Sequence, residues 1–253
     1  MFGLTLEILF LISLFIIGFF AGILNAVAGG ATFLTFPALM LAGLSPVSAN
    51  ATNFIATAPG NIAALPAFKN ELRTIGKSIY GPILICSFGS ILGAVILFSL
   101  GADIFKSLIP YLMGFATFLF IIAPKLRKKF VGLSLSSQKL PIILLFAFSI
   151  YGGYFGAGLG QIALAVLILI GFEDLRTANA MKNAVIASIS LPASIIYIMS
   201  GEVFWPYAIV MFLGSAGGGY AGGRLAISLP QDCIRKIVII FGALLTLYYF
   251  FMK

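Results

Sequence analysis

The polar stretch SANATN (residues 48–53) returns 129 residues later as TANAMKN (residues 177–183), in a chain that is otherwise almost wholly apolar. Amide and ammonium groups are costly to bury in hydrocarbon unless they pair with one another or line a cavity. A chain that places the same polar frame twice therefore indicates two related halves whose polar faces converge on a shared interior.

The composition places this frame inside a membrane. The chain has 253 residues, of which 61% are hydrophobic and 9% are charged, and its mean hydropathy is +1.16. A soluble domain carries about 25% charged residues. Because successive apolar runs of membrane-spanning length fill nearly the whole sequence, we predict an all-α polytopic membrane protein.

Two of the apolar segments are too short for an ordinary membrane-spanning helix. Segments 31–44 and 161–172 would cover only about 18–21 Å at 1.5 Å per residue, so they are half-helices, re-entrant elements or thin crossings. The sequence thus predicts eight to ten transmembrane helices, two of them short or broken. The ten segments are 4–24, 31–44, 48–68, 78–100, 104–124, 140–158, 161–172, 177–200, 204–223 and 234–252.

The basic residues favour ten crossings. If all ten segments cross and the N-terminus lies outside, one face receives twelve basic residues and the other receives Lys106 and Lys253. Such a bias marks the cytoplasmic face of a membrane protein. The net charge of +8 is therefore explained by loops that face anionic lipid headgroups, and it does not indicate binding to nucleic acid. The twelve are Lys69, Arg73, Lys77, Lys125, Arg127, Lys128, Lys129, Lys139, Arg176, Arg224, Arg235 and Lys236.

Further short motifs recur at nearly the same offset. GSILG (89–93) matches GSAGG (214–218), and DIFK (103–106) matches DCIR (232–235), which opens the last segment of the second half as DIFK opens that of the first. Five segments per half is an odd number, so the two halves have opposite orientations in the membrane. Inverted repeats with short broken helices are typical of transporters.

These motifs divide the chain into three regions. We predict a first transmembrane repeat at 1–124, a basic cytoplasmic linker at 125–139, and a second transmembrane repeat at 140–253. The linker has the sequence KLRKKFVGLSLSSQK.

A glycine-rich stretch precedes each short segment: GILNAVAGGATF (22–33) and GGYFGAGLGQIA (152–163). Glycine permits the backbone to break and turn, and a break leaves N–H groups at a half-helix N-terminus free to face an anion. The alternative is close packing of small residues between helices. We expect the breaks, with their N–H groups facing a central cavity, at Gly29, Gly30, Gly158 and Gly160.

The repeated polar frame supplies the candidate site. Residues three apart on a helix share a face, so Asn50 lies beside Asn53, and Asn179 beside Lys182 with Asn183 next to them. Under the repeat, Asn50 matches Asn179 and Asn53 matches Lys182. Two alternatives stay open: Lys182 snorkels to the interface, and the amides join helices.

One cation among neutral donors suits a small anion. Two lysines would hold an anion too tightly for release, whereas none would leave selectivity to dipoles alone. We expect substrate contacts from Asn25, Gly29, Gly30, Thr32, Asn50, Asn53, Gly158, Gly160, Gln161, Asn179, Lys182 and Asn183.

Several other classes of function do not fit. The chain has no histidine, and Cys86 and Cys233 lie far apart, so we expect no zinc site, disulfide framework or cofactor. The spans contain no recognisable nucleophile with a base and no paired carboxylates, which argues against an intramembrane enzyme. Without a GxxxxGK[ST] motif, energy has to come from an ion gradient such as H⁺ or Na⁺, or from an external partner.

The glycine-rich stretches and polar frames together resemble the sulfite exporter TauE/SafE family, a group of bacterial and archaeal permeases. The strongest elements are GFFAGILNAVAGGATFLTFPALMLAGLSPVSANATN (18–53) and GGYFGAGLGQIALAVLILIGFEDLRTANAMKN (152–183). The second departs from the family layout in Gln161, in Lys182, and in lacking a proline within 161–172.

The resemblance implies a secondary transporter of small anions such as sulfite or sulfonates, working by alternating access in a prokaryotic plasma membrane. The start MFGLTLEILF lacks a basic n-region and an A-x-A site, so we expect no cleaved signal peptide. An anion channel and, less favoured, an intramembrane enzyme are the alternatives. The sequence specifies no oligomeric state.

Overall fold

The computed structural model describes residues 2–130, 139–169, 172, 174–226 and 231–251. Within these residues it contains eleven α-helices, two 3₁₀ turns at Leu65–Phe68 and Gly76–Ile79, and no strand. The helices are α1 (Phe2–Val27), α2 (Thr32–Leu41), α3 (Pro46–Ala64), α4 (Lys69–Ile75), α5 (Tyr80–Leu100), α6 (Ala102–Phe130), α7 (Lys139–Tyr154), α8 (Leu159–Leu169), α9 (Leu175–Met199), α10 (Trp205–Leu225) and α11 (Gln231–Phe251).

Each of the ten predicted segments corresponds to one helix, and the class of fold is confirmed. The structure adds the short helix α4, flanked by the two 3₁₀ turns, between α3 and α5. It also continues α6 to Phe130, through the first part of the predicted linker 125–139. Lysine and arginine are good helix formers, so the basic run extends the helix. Residues 131–138 of that linker lie outside the described residues.

The breaks fall where the glycines predict them. Helix α1 ends at Val27 and α2 begins at Thr32, while α7 ends at Tyr154 and α8 begins at Leu159. Helices α2 and α8 have 10 and 11 residues, so each is only about 15–17 Å long. Gly29 has a φ angle of +73°, a backbone conformation that glycine adopts readily and that would be strained for a residue with a side chain.

The two long inner helices start at capping residues. The Ser45 side chain accepts a hydrogen bond from the N–H of Ser48 (3.1 Å), with proline at the first position of α3. Asp174 accepts one from the N–H of Thr177 (2.9 Å) at the start of α9. Each cap satisfies an N–H that the helix itself leaves unpaired.

Helices α1, α3 and α10 run parallel to one another. Gly18 lies against Met211, and Gly22, one turn on, lies against Ser215, which orders α1 and α10 in the same direction. Likewise the N–H of Phe204, just before α10, donates to the Thr52 hydroxyl of α3 (2.9 Å). Further along both helices, Gly219 approaches the backbone of α3 at residue 60.

Helices α5, α7 and α9 form the matching set. Gly89 lies against Phe146, and Gly93 lies against Ile150, so α5 and α7 are parallel. The hydroxyl of Ser87 donates to the carbonyl of Ser188 (3.1 Å) near the middle of α9. Further along both helices the ring of Phe98 contacts the ring of Tyr197, so α5 and α9 are parallel as well.

The two sets point in opposite directions. Asn50, near the start of α3, bonds to Tyr197 near the end of α9 (3.1 Å). At the other end, Glu71 follows α3 and pairs with Arg176 in the first turn of α9 (2.9 Å). Because α1 matches α7, α3 matches α9 and α5 matches α10, the repeats are inverted, as predicted.

The chain therefore passes back and forth ten times. Helices α6 and α11 are also antiparallel, since Gly114 faces Thr246 and Thr117 faces Gly242. Helix α3 starts on the same side as α1, so the short helix α2 has to return the chain to that side. Helix α8 does the same in the second half, and the first and last described residues, Phe2 and Phe251, lie on one side.

The burial pattern is that of a membrane protein. Four stretches of the described residues are long and apolar enough to cross a membrane, within Glu7–Val27, Pro46–Leu100, Ala102–Leu119 and Arg176–Met199. Shorter apolar helices accompany them. Large apolar side chains such as Phe88 and Ile195 are exposed, whereas Lys182 is fully buried. Apolar groups on the outside and polar groups inside suit a hydrocarbon solvent.

The topology predicts which residues share a face. In a background with Cys86→Ala and Cys233→Ser, we expect Arg73→Cys and Lys125→Cys to react with an impermeant thiol reagent from the same side of the membrane. Ala102→Cys, at the first residue of α6, should react only from the other side. If positions 73 and 125 label from opposite faces, the inverted arrangement is wrong.

Candidate functional site

A polar cavity lies where the two breaks approach the inner helices α3 and α9. It contains about 310 Å³ of space not occupied by atoms, part of it open to the outside, and both halves of the chain contribute to its walls. The lining residues are Asn25, Thr32, Asn53, Phe54, Thr57, Asn61, Phe155, Gly156, Leu159, Ile186 and Ser190.

The cavity lies on the pseudo-two-fold axis that relates the halves. Thr57 and Ile186, and likewise Asn61 and Ser190, are 129 residues apart, which is the offset of the repeated polar frame. In each pair both members line the cavity. Its walls are therefore built from equivalent positions of α3 and α9.

Asn53 is held in place by two hydroxyl groups of α2. The hydroxyl of Thr35 donates to the Asn53 side-chain oxygen, and the Asn53 amide donates to the Thr32 hydroxyl (3.3 Å). The Thr35 hydroxyl also lies 3.0 Å from the carbonyl oxygen of Ala31, which is the alternative acceptor for its one proton, so the whole group lies at the start of α2. This wall of the cavity is preorganised.

Asn61 presents an unpaired amide to the same cavity. Its side chain is 1% exposed, and neither its nitrogen nor its oxygen has a hydrogen-bond partner within the described residues. Leaving such a group unsatisfied costs about 1–3 kcal/mol, so the amide requires a water molecule or a bound ligand as its partner. Asn61 was missed at the level of sequence, although the spacing of Asn53, Thr57 and Asn61 at i, i+4 and i+8 marks a helix face.

Lys182 lies one layer behind the cavity. It is fully buried, and its Nζ donates to the carbonyl oxygens of Asn25 (3.2 Å) and Ala26 (2.7 Å) in the last turn of α1. The C-terminal carbonyls of a helix carry partial negative charge, so an ammonium group there is stabilising. The lysine therefore does not snorkel to the interface, and Asn25 stands between it and the cavity.

The broken end of α7 is capped in a similar way from α3 and α9. The Asn50 amide donates to the carbonyl of Tyr154 (3.1 Å) and to the hydroxyl of Tyr197 (3.1 Å). That hydroxyl in turn donates to the carbonyl of Gly153 (2.8 Å). Asn50 thus caps a helix and does not line the cavity.

The break between α1 and α2 touches the break between α7 and α8 at Gly29 and Gly160, and we call this contact the glycine crossing. A Cβ atom on Gly160 would lie 2.3 Å from the Cα atom of Gly29, so neither position has room for a side chain. The N–H of Gly29 bonds to the carbonyls of Leu24 and Asn25, and the N–H of Gly160 donates to the Gly29 carbonyl (3.4 Å). These N–H groups are used at the crossing, contrary to our expectation that they face a cavity.

The other predicted residues support the crossing and the inner helix. Gln161 donates from its amide to the carbonyl of Ala28 (3.1 Å), and Gly158 turns the chain at φ +72°. The Gly30 carbonyl accepts from the N–H of Phe33 (3.2 Å). The Asn183 amide donates to the Asn179 carbonyl (3.0 Å) within α9. Of the twelve predicted residues, the cavity brings together Asn25, Thr32 and Asn53.

A buried polar cavity between inverted repeats with broken helices is the architecture of a membrane transporter. The family described as Sulfite exporter TauE/SafE matches residues 14–249, so the chain belongs to that family.

Relatives with the same general role match over nearly their whole length. A protein named probable membrane transporter protein YfcA from Escherichia coli (strain K12) is 30% identical over 250 residues, covering 96% of this chain and 92% of the relative. A probable membrane transporter protein from Haemophilus influenzae is 29% identical over 234 residues, covering 92% and 91%. No solved structure matches the chain.

The glycine crossing makes a prediction about stability. Gly160→Ala should lower the melting temperature of the purified protein in detergent, because its Cβ would overlap Gly29 and overpacking costs about 1–3 kcal/mol. Gly81→Ala is the matched control, since a Cβ there meets nothing within 4 Å. Equal melting temperatures for the two variants would show that the crossing is not tightly packed.

Proposed function

We propose that the protein is a secondary transporter that moves small oxyanions such as sulfite or sulfonates by alternating access across a prokaryotic plasma membrane. The observation that carries the proposal is the cavity at the pseudo-two-fold axis, with the unpaired amide of Asn61 in its wall. A carrier of this design binds its substrate between two inverted halves and releases it when they rearrange.

The polar wall suits an anion with several oxygen atoms. Asn61 offers two N–H donors, and Ser190 adds a hydroxyl group that lines the same space. The Thr57 hydroxyl also lines it but already donates to the carbonyl of Asn53 (2.8 Å). Hydrogen bonds to a charged acceptor contribute about 1.5–3 kcal/mol, more than bonds between neutral groups. Several such bonds hold an oxyanion without a direct ion pair, which favours release.

Lys182 supplies the positive charge from behind this wall. Its Nζ lies 3.2 Å from the Asn25 carbonyl, and Asn25 itself lines the cavity. Charges interact strongly across a medium of low dielectric constant, so one intervening residue leaves a substantial attraction for an anion. The role of Lys182 is therefore electrostatic, combined with its cap on α1.

The two halves differ in packing, as alternating access requires. Helix α8 packs along α6 more extensively than its counterpart α2 packs along α11. Helices α2 and α11 meet where Phe36 contacts Tyr249, but an apolar cavity of about 1340 Å³ opens beside Pro37 and Leu245. If α2 packed tightly along α11 while α8 separated from α6, the cavity would open toward the opposite face of the membrane.

Counterflow tests the proposal. Proteoliposomes preloaded with unlabelled sulfite should transiently accumulate labelled sulfite from a dilute outer pool, because a carrier exchanges substrate each time it changes face. Asn61→Leu should reduce the initial rate at least about tenfold, through the loss of hydrogen bonds to a charged group. Flux without transient accumulation would indicate a channel, and the absence of flux for any small oxyanion would refute the proposal.

A charge substitution tests the electrostatic role of the lysine. Lys182→Met should weaken sulfite binding in calorimetry more than about tenfold, whereas Lys182→Arg should retain part of it, limited by its larger planar head. Lys106→Met removes a positive charge from an exposed position and is the matched control. Unchanged affinity in Lys182→Met, with a lowered melting temperature, would show that the lysine only caps α1.

A further inference from the structure

We propose that the cavity selects a singly charged oxyanion with one apolar end, such as an alkylsulfonate, over a doubly charged one such as sulfate. The inference rests on the proposed transport function and concerns its selectivity. Three observations carry it: the helix ends around the cavity, the single buried lysine, and the division of the wall into a polar and an apolar part.

Four helix ends surround the cavity. Helices α2 and α8 begin there, since their first residues, Thr32 and Leu159, both line it. The start of α2 carries no side-chain cap. Helices α1 and α7 end there, since Asn25 in the last turn of α1 and Phe155, which follows the last residue of α7, also line it. A helix end carries about half an elementary charge, positive at the N-terminus and negative at the C-terminus.

These partial charges cancel, so the net charge around the cavity is that of Lys182. Its ammonium group binds the carbonyls of Asn25 and Ala26 at the end of α1. No Asp, Glu, Lys or Arg occurs among the described residues that line the cavity. One positive charge balances one negative charge, and a dianion would retain an uncompensated charge in a site of low dielectric constant.

The unpaired amide of Asn61 supports a polar ligand in this space. The side chain is 1% exposed, lines the cavity, and has no partner for either polar atom within the described residues. Helix ends alone would not define a site, but here they coincide with a buried donor that lacks an acceptor.

The rest of the wall is apolar. Phe54, Phe155, Leu159 and Ile186 line the same cavity as the amides and hydroxyls. Sulfate presents oxygen in every direction, so some of its oxygens would face these side chains without a donor. An alkylsulfonate places its sulfonate oxygens against the donors and its carbon end against the phenyl rings.

The repeat supplies a specific test of the apolar wall. Ile186 occupies the position equivalent to Thr57 of the first half, and both line the cavity. Ile186→Thr therefore makes the pair polar on both sides without adding charge. We expect this variant to lower the ratio between the affinity for an alkylsulfonate and the affinity for sulfate.

The decisive experiment compares methanesulfonate with sulfate, which have similar tetrahedral shapes and differ by a methyl group in place of one charged oxygen. At mildly acidic pH, where sulfite is mainly the singly charged hydrogensulfite, competition against labelled sulfite counterflow should show methanesulfonate to be the tighter competitor by about tenfold or more. Ile186→Thr should reduce that ratio severalfold. Asn61→Asp should weaken both competitors, while Asn70→Asp, on the exposed surface of α4, should weaken neither.

Equal or tighter competition by sulfate, with sulfite counterflow intact, would overturn the charge selectivity and leave the proposed function standing. An unchanged ratio in Ile186→Thr would overturn the role of the apolar wall. A protein that folds but shows no counterflow of any of these anions would instead refute the proposed transport function.

Discussion

Broken helices inside a membrane must satisfy their backbone hydrogen bonds without water, and the rest of this structure depends on how that is done. The last carbonyls of α1 accept hydrogen bonds from Lys182, and those of α7 accept them from Asn50 and Tyr197. Gln161 adds a bond to the carbonyl of Ala28. Each donor reaches an end that the glycine turn has freed, so the breaks are stable features of the fold.

Capping also decides which polar groups are left for a ligand. Lys182 and Asn50 are engaged at helix ends, and Asn53 is engaged with Thr32 and Thr35. The unpaired amide of Asn61 is then the group in the cavity wall that most clearly lacks a partner among the described residues. The chain therefore combines polar side chains that are engaged at helix ends with a cavity wall in which both polar atoms of the Asn61 side chain lack a partner among the described residues.

The elements and their order could be predicted from the sequence, because apolar length, glycine clusters and basic loops are local signals. The inverted arrangement followed from repeated motifs such as GSILG and GSAGG. The partners of each polar residue could not be predicted in the same way. Spacing places Lys182 and Asn179 on one helix face, but only the fold shows that the lysine meets the end of α1. Asn61 lies outside the repeated polar frame, and its spacing from Asn53 and Thr57 marks a shared helix face without showing what that face meets.

Each broken helix end is capped by a residue from the other half of the chain, and this affects the order in which the structure forms during synthesis. The carbonyl of Ala26 is bonded to a residue 156 positions later in the chain, and the carbonyl of Tyr154 is bonded to one 104 positions earlier. During synthesis, the end of α1 emerges long before its ammonium donor exists, whereas α7 meets a donor that is already in the membrane. The end of α1 therefore lacks its ammonium cap until α9 has been synthesised, so the first half completes its hydrogen bonds only after most of the second half has been made.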